Sequence, residues 1–159
     1  MAGAHETDEV LDLIVNEAAR LLGTATVYIR LLQGDSLVLG ATATPVVGFE
    51  PPLDFKVGEG ASVPGHVMAT KKPVFGDDAA RLLVPETLRV MEENGIDPAA
   101  VGAVPLLANG QSIGTISVGD LVHYRRRFTD DDISLLTAFA DQAAMAIEKA
   151  RLLKNAERE

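Results

Sequence analysis

The chain has no cysteine and no tryptophan. The first absence excludes disulfides, thiolate metal sites and cysteine nucleophiles, and it fits a reducing compartment. The second accompanies only 4% aromatic residues, which leaves little surface for stacking on bases. Basic charge is scarce as well. Fourteen Lys and Arg against 23 Asp and Glu give a net charge of −9, so nucleic acid or an anionic membrane would be repelled at long range. Apolar runs such as "AVPLLA" are far too short to cross a bilayer. No basic, apolar leader is visible, and a cytoplasmic location without membrane contact is expected.

What is present suits one folded domain. A chain of 159 residues can bury about two-thirds of its unfolded surface. Residues 1–5 read as a disordered or appended tail, 6–153 as the domain, and 154–159 as a helix extension toward a possible output domain.

Thr7 is placed to cap a first helix, with Val10, Ile14, Ala18 and Leu21 at helical spacing and Gly23 as its stop. "TATVYIRLL" reads as a strand with Val27, Ile29 and Leu31 on one face and Tyr28 and Arg30 on the other. "QGD" turns it into "SLVLGATAT". A short helix is predicted from Ser62 to Thr70, a short strand at "PVFGD", and a helix starting at Pro85 and ending at Gly95. Asn109-Gly110 between apolar runs is the strongest hairpin signal. A helix of about 25 residues then starts at Thr129 and extends ~40 Å. Two hairpins flanked by helices predict an α+β fold, with a central antiparallel β-sheet of about five or six strands. The N- and C-terminal helices take one face, and short helices and loops cover the other.

In order and spacing, four segments resemble a GAF domain over nearly the whole chain. They are "VNEAARLLGTATVYIRLL", "VGEGASVPGHVMATKKPVFGDD", "AVPLLANGQSIGTISV" and "RRFTDDDISLLTAFADQAAMAIEKARLL". The resemblance implies a GAF/PAS-like layer fold with a small-molecule pocket on the face away from the terminal helices. It does not name the ligand, since one fold hosts many functions. A thioether-linked bilin, as in phytochrome-like members, needs a cysteine this chain lacks. The free-methionine sulfoxide reductases of the family also use cysteine chemistry. Cyclic-nucleotide-binding members carry Asn-Lys, then Phe and Asp-Glu. Phe128 and Asp132 match, but Gly119-Asp120 and Ile133 do not. Haem-binding members place a histidine before the fourth strand, and residues 83–104 contain none. The cofactor is therefore left unknown.

Strand alternation together with the resemblance nominates Tyr28, Arg30, His66, Phe75, Asp77, Thr87, Met91 and Ser117 as ligand-binding. No catalytic or metal-binding residue is nominated. Asp130, Asp131 and Asp132 splay about 100° apart per residue on a helix, so they suit its positive end better than one ion. Thr129 and Asp132 have capping-box spacing. His66 has no partner cluster, and His123 and His5 fall in a loop and the tail. Arg125, Arg126 and Arg127 precede an acidic run that can pair with them. "GEGASVPG" lacks the Lys-Ser/Thr ending of a phosphate-binding loop.

Ile133, Leu136, Ala140, Ala143, Ile147 and Ala150 recur at spacings of three and four, which predicts a seam for a parallel homodimer. The expected function is a ligand-sensing regulatory domain of a signalling protein, of histidine kinase or transcriptional regulator type, and not an enzyme. It would signal through its terminal helices. The alternative is a structural dimerisation and signal-transmission domain with a degenerate pocket and no ligand.

Overall fold

The computed structural model describes residues 2–24, 26–43, 54–56, 62–95, 97–121 and 128–158. Helix α1 spans Ala2–Leu22. It starts five residues before Thr7, so its first turn overlaps the expected tail. Gly23 ends it at φ 66°, with its N–H donating to the Ala19 carbonyl at 2.9 Å. Strands β1 (Thr26–Gln33) and β2 (Ser36–Ala43) follow as a hairpin, and β3 is Asp54–Lys56. Helix α2 (Val63–Thr70) is capped by the Ser62 side chain, which accepts from the Gly65 N–H at 2.9 Å. Strand β4 is Val74–Gly76, α3 is Ala79–Leu82 and α4 is Pro85–Glu93. Strands β5 (Pro98–Ala108) and β6 (Gln111–Leu121) form the second hairpin. Asn109 and Gly110, at φ 52° and 76°, make its turn, a conformation Asn-Gly adopts at low cost. Helix α5 spans Asp130–Arg158.

The strands form one antiparallel sheet in the order β3-β2-β1-β6-β5-β4. One face carries Val27 and Ile29 of β1, Ala41 and Ala43 of β2, Ile116 and Val118 of β6, and Val104 and Leu106 of β5. Against them pack Leu11, Ile14, Val15, Ala18 and Leu22 of α1, and Leu136, Phe139, Ala140, Ala143 and Ala144 of α5. Burying these side chains is the main stabilising term, at about 25 cal/mol per Å² of apolar surface. On the distal face, Val63 and Val67 of α2 cover Ala103 of β5, with Val74 and Leu82 beside them.

Two expected apolar stripes sit differently. On α1, Val10 and Leu21 are exposed, because the face that meets the sheet runs through Leu11, Val15 and Leu22. On α5, Leu136, Ala140 and Ala143 are buried within the chain's own core. Ile133, Ile147 and Ala150 are half-buried. Most of the predicted dimer seam is therefore intramolecular packing. Thr129 and Asp132 do form the capping box. The Thr129 N–H donates to Asp132 Oδ2 at 2.9 Å, and the Asp132 N–H donates to Thr129 Oγ1 at 3.2 Å.

Candidate functional site

Register decides which polar side chains share the distal face. Directly paired residues on antiparallel strands point to the same side. Tyr28 on β1 pairs with Thr42 on β2 and Ser117 on β6, and Ser117 pairs with Ala103 on β5. Arg30 pairs with Leu39 and with Thr115, which in turn pairs with Pro105. A bulge between Ile29 and Arg30 sets Gly40 out of the ladder. The result is two adjacent rows crossing the sheet. Their centre is Tyr28, Arg30, Thr115 and Ser117.

Arg30 is 2% exposed and is the largest fully buried side chain among the described residues. Its Cζ stands 5.3 Å from the centre of the Tyr28 ring, within cation–π range. Burial lowers its pKa to about 10, and the Tyr28 hydroxyl acts in the opposite direction. Thr115 is fully buried. Neither Thr115 Oγ1 nor Ser117 Oγ has a hydrogen-bond partner among the described residues. Ser112 Oγ donates to the Met68 carbonyl at 3.0 Å, which ties β6 to the end of α2.

The other nominated residues scatter. His66 is half-buried on α2. Thr87 and Met91 are buried one turn apart on α4. Asp77 is exposed after β4. Phe75 lies on the helix-side face, opposite Tyr28 and Arg30. It pairs with Gly102, in the row of Val118 and Val27, and packs on the helix-side core. Its β4 neighbour Val74 takes the distal side instead. The structure thus brings together Tyr28, Arg30 and Ser117 and adds Thr115, which the sequence reading did not nominate. The alternation of Thr115 and Ser117 with buried Ile116 and Val118 was a signal for it. His123, Tyr124, Arg125, Arg126 and Arg127 lie outside the described residues, as do Gly58 and Gly60 of the glycine-rich stretch. Among the described residues, no group of three or more His, Asp or Glu is placed to hold a metal ion. No helix among them is long and apolar enough to cross a membrane.

A family profile described as GAF domain matches residues 4–148. Comparison with curated protein sequences returns no match. Among solved structures, the GAF domain of a phosphoenolpyruvate-protein phosphotransferase from Coxiella burnetii superposes with a TM-score of 0.77 at 20% identity, covering 94% of this chain and 86% of that one. Residues 122 to 287 of a methyl-accepting chemotaxis protein superpose at 0.75 and 25% identity, covering 93% and 92%. A type II free methionine-R-sulfoxide reductase from Thermoplasma acidophilum superposes at 0.72 and 16% identity, covering 94% and 96%.

Proposed function

The chain belongs to the GAF domain family, and on that premise we propose that it is a ligand-sensing regulatory domain of a cytoplasmic signalling protein. One observation carries the reading. The distal face groups four polar side chains, of which Arg30 and Thr115 are buried and Tyr28 and Ser117 half-buried, and the Thr115 and Ser117 hydroxyls have no partner among the described residues. A buried hydroxyl left unpaired costs about 1–3 kcal/mol, so a domain with no ligand gains nothing from keeping two. A degenerate, purely structural domain would be expected to fill these positions with apolar side chains.

Signal transmission follows from the shared strands. β1 and β6 carry Arg30 and Thr115 on the distal face and Ile29 and Ile116 on the helix face. A ligand that favours one placement of these strands also biases α1 and α5, which pack on Ile29 and Ile116. Such coupling is typically about 1–3 kcal/mol. The helices also keep apolar residues in solvent, including Leu13 at 66%, Met145 at 68% and Leu152 at 60% exposure. In this reading those residues, and not the buried seam, meet a second copy or a C-terminal output domain. The chemotaxis and phosphotransferase relatives support a signalling context. The reductase relative has a different kind of activity, and the absence of cysteine here weighs against carrying it over.

Native mass spectrometry of freshly purified protein tests the proposal, with hydrogen exchange of α1 and α5 measured before and after a small-molecule extract is added. The expected result is a mass excess lost on denaturation, or altered protection in both helices. A clean chain mass with unchanged exchange would overturn it.

A further inference from the structure

The chain contains two Asn-Gly pairs, Asn94-Gly95 and Asn109-Gly110, and both are exposed. Asparagine is a chemically labile residue. A following glycine makes it more so, because a residue without a side chain lets its main-chain nitrogen approach the asparagine amide. The structure separates the two pairs. At the end of α4 both reacting groups are occupied. The Asn94 side-chain nitrogen donates to the Val90 carbonyl at 2.8 Å, and the Gly95 N–H donates to the Glu92 carbonyl at 3.0 Å. In the turn between β5 and β6, neither the Asn109 side chain nor the Gly110 N–H has a hydrogen-bond partner among the described residues. A Cβ built on Gly110 would meet no atom within 4 Å, so the space beside it is open. The turn also adjoins a long-range tie. Two residues past Gly110, the Ser112 hydroxyl holds the Met68 carbonyl in the last turn of α2. The register at this end of the hairpin is carried by the pairs Ala108–Gln111 and Leu107–Ser112.

We propose that Asn109 is a site of spontaneous deamidation, and that its conversion to isoaspartate releases the end of α2 from the sheet. The Gly110 main-chain nitrogen attacks Cγ of Asn109. The N–Cγ bond forms, the Cγ–Nδ2 bond breaks, and the amide proton leaves with the side-chain nitrogen as ammonia. Water then opens the cyclic imide. Hydrolysis of the N–Cγ bond gives aspartate. Hydrolysis of the original peptide bond gives isoaspartate, whose main chain runs through Cβ and Cγ. Water is the only co-reactant, and nothing is oxidised or reduced. Either product adds one negative charge to a chain already at −9. Only isoaspartate lengthens the main chain by a carbon. A two-residue hairpin sets strand register through its length, so that carbon disturbs Ala108–Gln111 and Leu107–Ser112 first. Ser112 is then displaced from the Met68 carbonyl, and α2 loses this hold on β6. The site is separate from the polar rows and needs no ligand.

Ageing the full chain in warm, mildly alkaline buffer made with heavy-oxygen water tests the proposal. Peptide mapping by mass spectrometry locates each conversion, and fragmentation distinguishes isoaspartate from aspartate. Asn109 should convert at least about tenfold faster than Asn94, whose two hydrogen bonds must break first, and its product should carry one labelled oxygen. In the urea-unfolded chain the two rates should converge. Hydrogen exchange at residues 69–71 should rise in the aged protein, and also in fresh Ser112→Ala, which lacks the tie. Fresh Asn109→Asp adds the charge without the extra carbon and should exchange like the parent. Asn109→Gly keeps the left-handed turn and cannot deamidate, so it should age without change at the end of α2. Equal rates in the folded chain, or faster conversion at Asn94, would overturn the site. Isoaspartate-rich protein whose α2 end exchanges like the fresh chain would overturn the release, as would an aged Asn109→Gly chain that loses protection equally.

Discussion

The rings of Phe75 and Phe128 meet edge to face, with centroids 5.6 Å apart and planes at 68°. This contact joins the short strand β4 to the residue just before the α5 cap. It exists because Gly102, opposite Phe75, has no side chain. A Cβ there would overlap the Phe75 ring. Gly102→Ala is therefore expected to destabilise the fold by ~1–3 kcal/mol through overpacking. Adding Phe75→Ala should recover part of that loss, so the two changes combine with less than additive cost in urea unfolding. Strict additivity would mean the ring is not what excludes the methyl group.

Two leucines on α5 should behave very differently. Leu136 is fully buried in the core, whereas Leu152 is 60% exposed. Leu136→Ala should cost about 2–5 kcal/mol, the range for truncating a core leucine. Leu152→Ala should stay within about 0.5 kcal/mol in the monomer, but it should weaken self-association measured by sedimentation if the exposed face holds a dimer. Equal unfolding costs would contradict the assignment of the seam to the intramolecular core.

The reciprocal cap at Thr129 and Asp132 gives a third expectation. Thr129→Ala or Asp132→Ala should each lower stability by about 0.5–2 kcal/mol, with little further loss in the double variant, because each change breaks the same paired arrangement. Hydrogen exchange should rise first in the opening turn of α5. A uniform increase along the whole helix would argue against a local cap.

Arg30 places a charge in the buried part of the sheet. Arg30→Met keeps most of the side-chain volume and removes the desolvation penalty that burial places on the guanidinium at pH 7. The pH dependence has a definite sign. Burial depresses the folded-state pKa to about 10, below its ordinary value. Above pH 10 the unfolded chain therefore holds more protons at this residue than the folded chain, and its contribution to stability rises with pH. Below that window the desolvation penalty is present in full. Denaturant unfolding of parent and variant at pH 7 and above pH 10 should show the parent gaining stability relative to the variant as pH rises. A loss of more than about 2 kcal/mol at pH 7 would mean that the guanidinium is a net stabilising group.

Much of the fold was legible because local signals and the layer argument agreed. Ser62, Asn109-Gly110, Pro85 and the Thr129–Asp132 pair all mark element ends where the sequence puts them. The face of α1 was less legible. Val10, Leu11, Leu13, Ile14, Val15, Ala18, Leu21 and Leu22 contain two overlapping stripes, and only docking on the sheet selects one. Phe75 was misplaced because a three-residue strand is too short to show alternation, and its side is set by pairing with Gly102. Tyr28, Arg30 and Ser117 were visible from strand alternation. The join of Arg30 to Thr115 was not, because it depends on the register between strands from opposite ends of the chain.

That register also has a kinetic consequence. Each hairpin closes locally, but the seam between β1 and β6 brings together residues such as Thr26 and Gly119, 93 positions apart. Long-range closure of this kind slows folding relative to local pairing. Until the last strand has been synthesised, β1 has an open edge and the apolar face beneath α1 has no α5 to cover it. The first two-thirds of the chain should therefore emerge from the ribosome collapsed but unfinished. Nascent chains stalled before residue 111 should be protease-sensitive, and protection should arrive in one step once β6 and the first turns of α5 are free to dock.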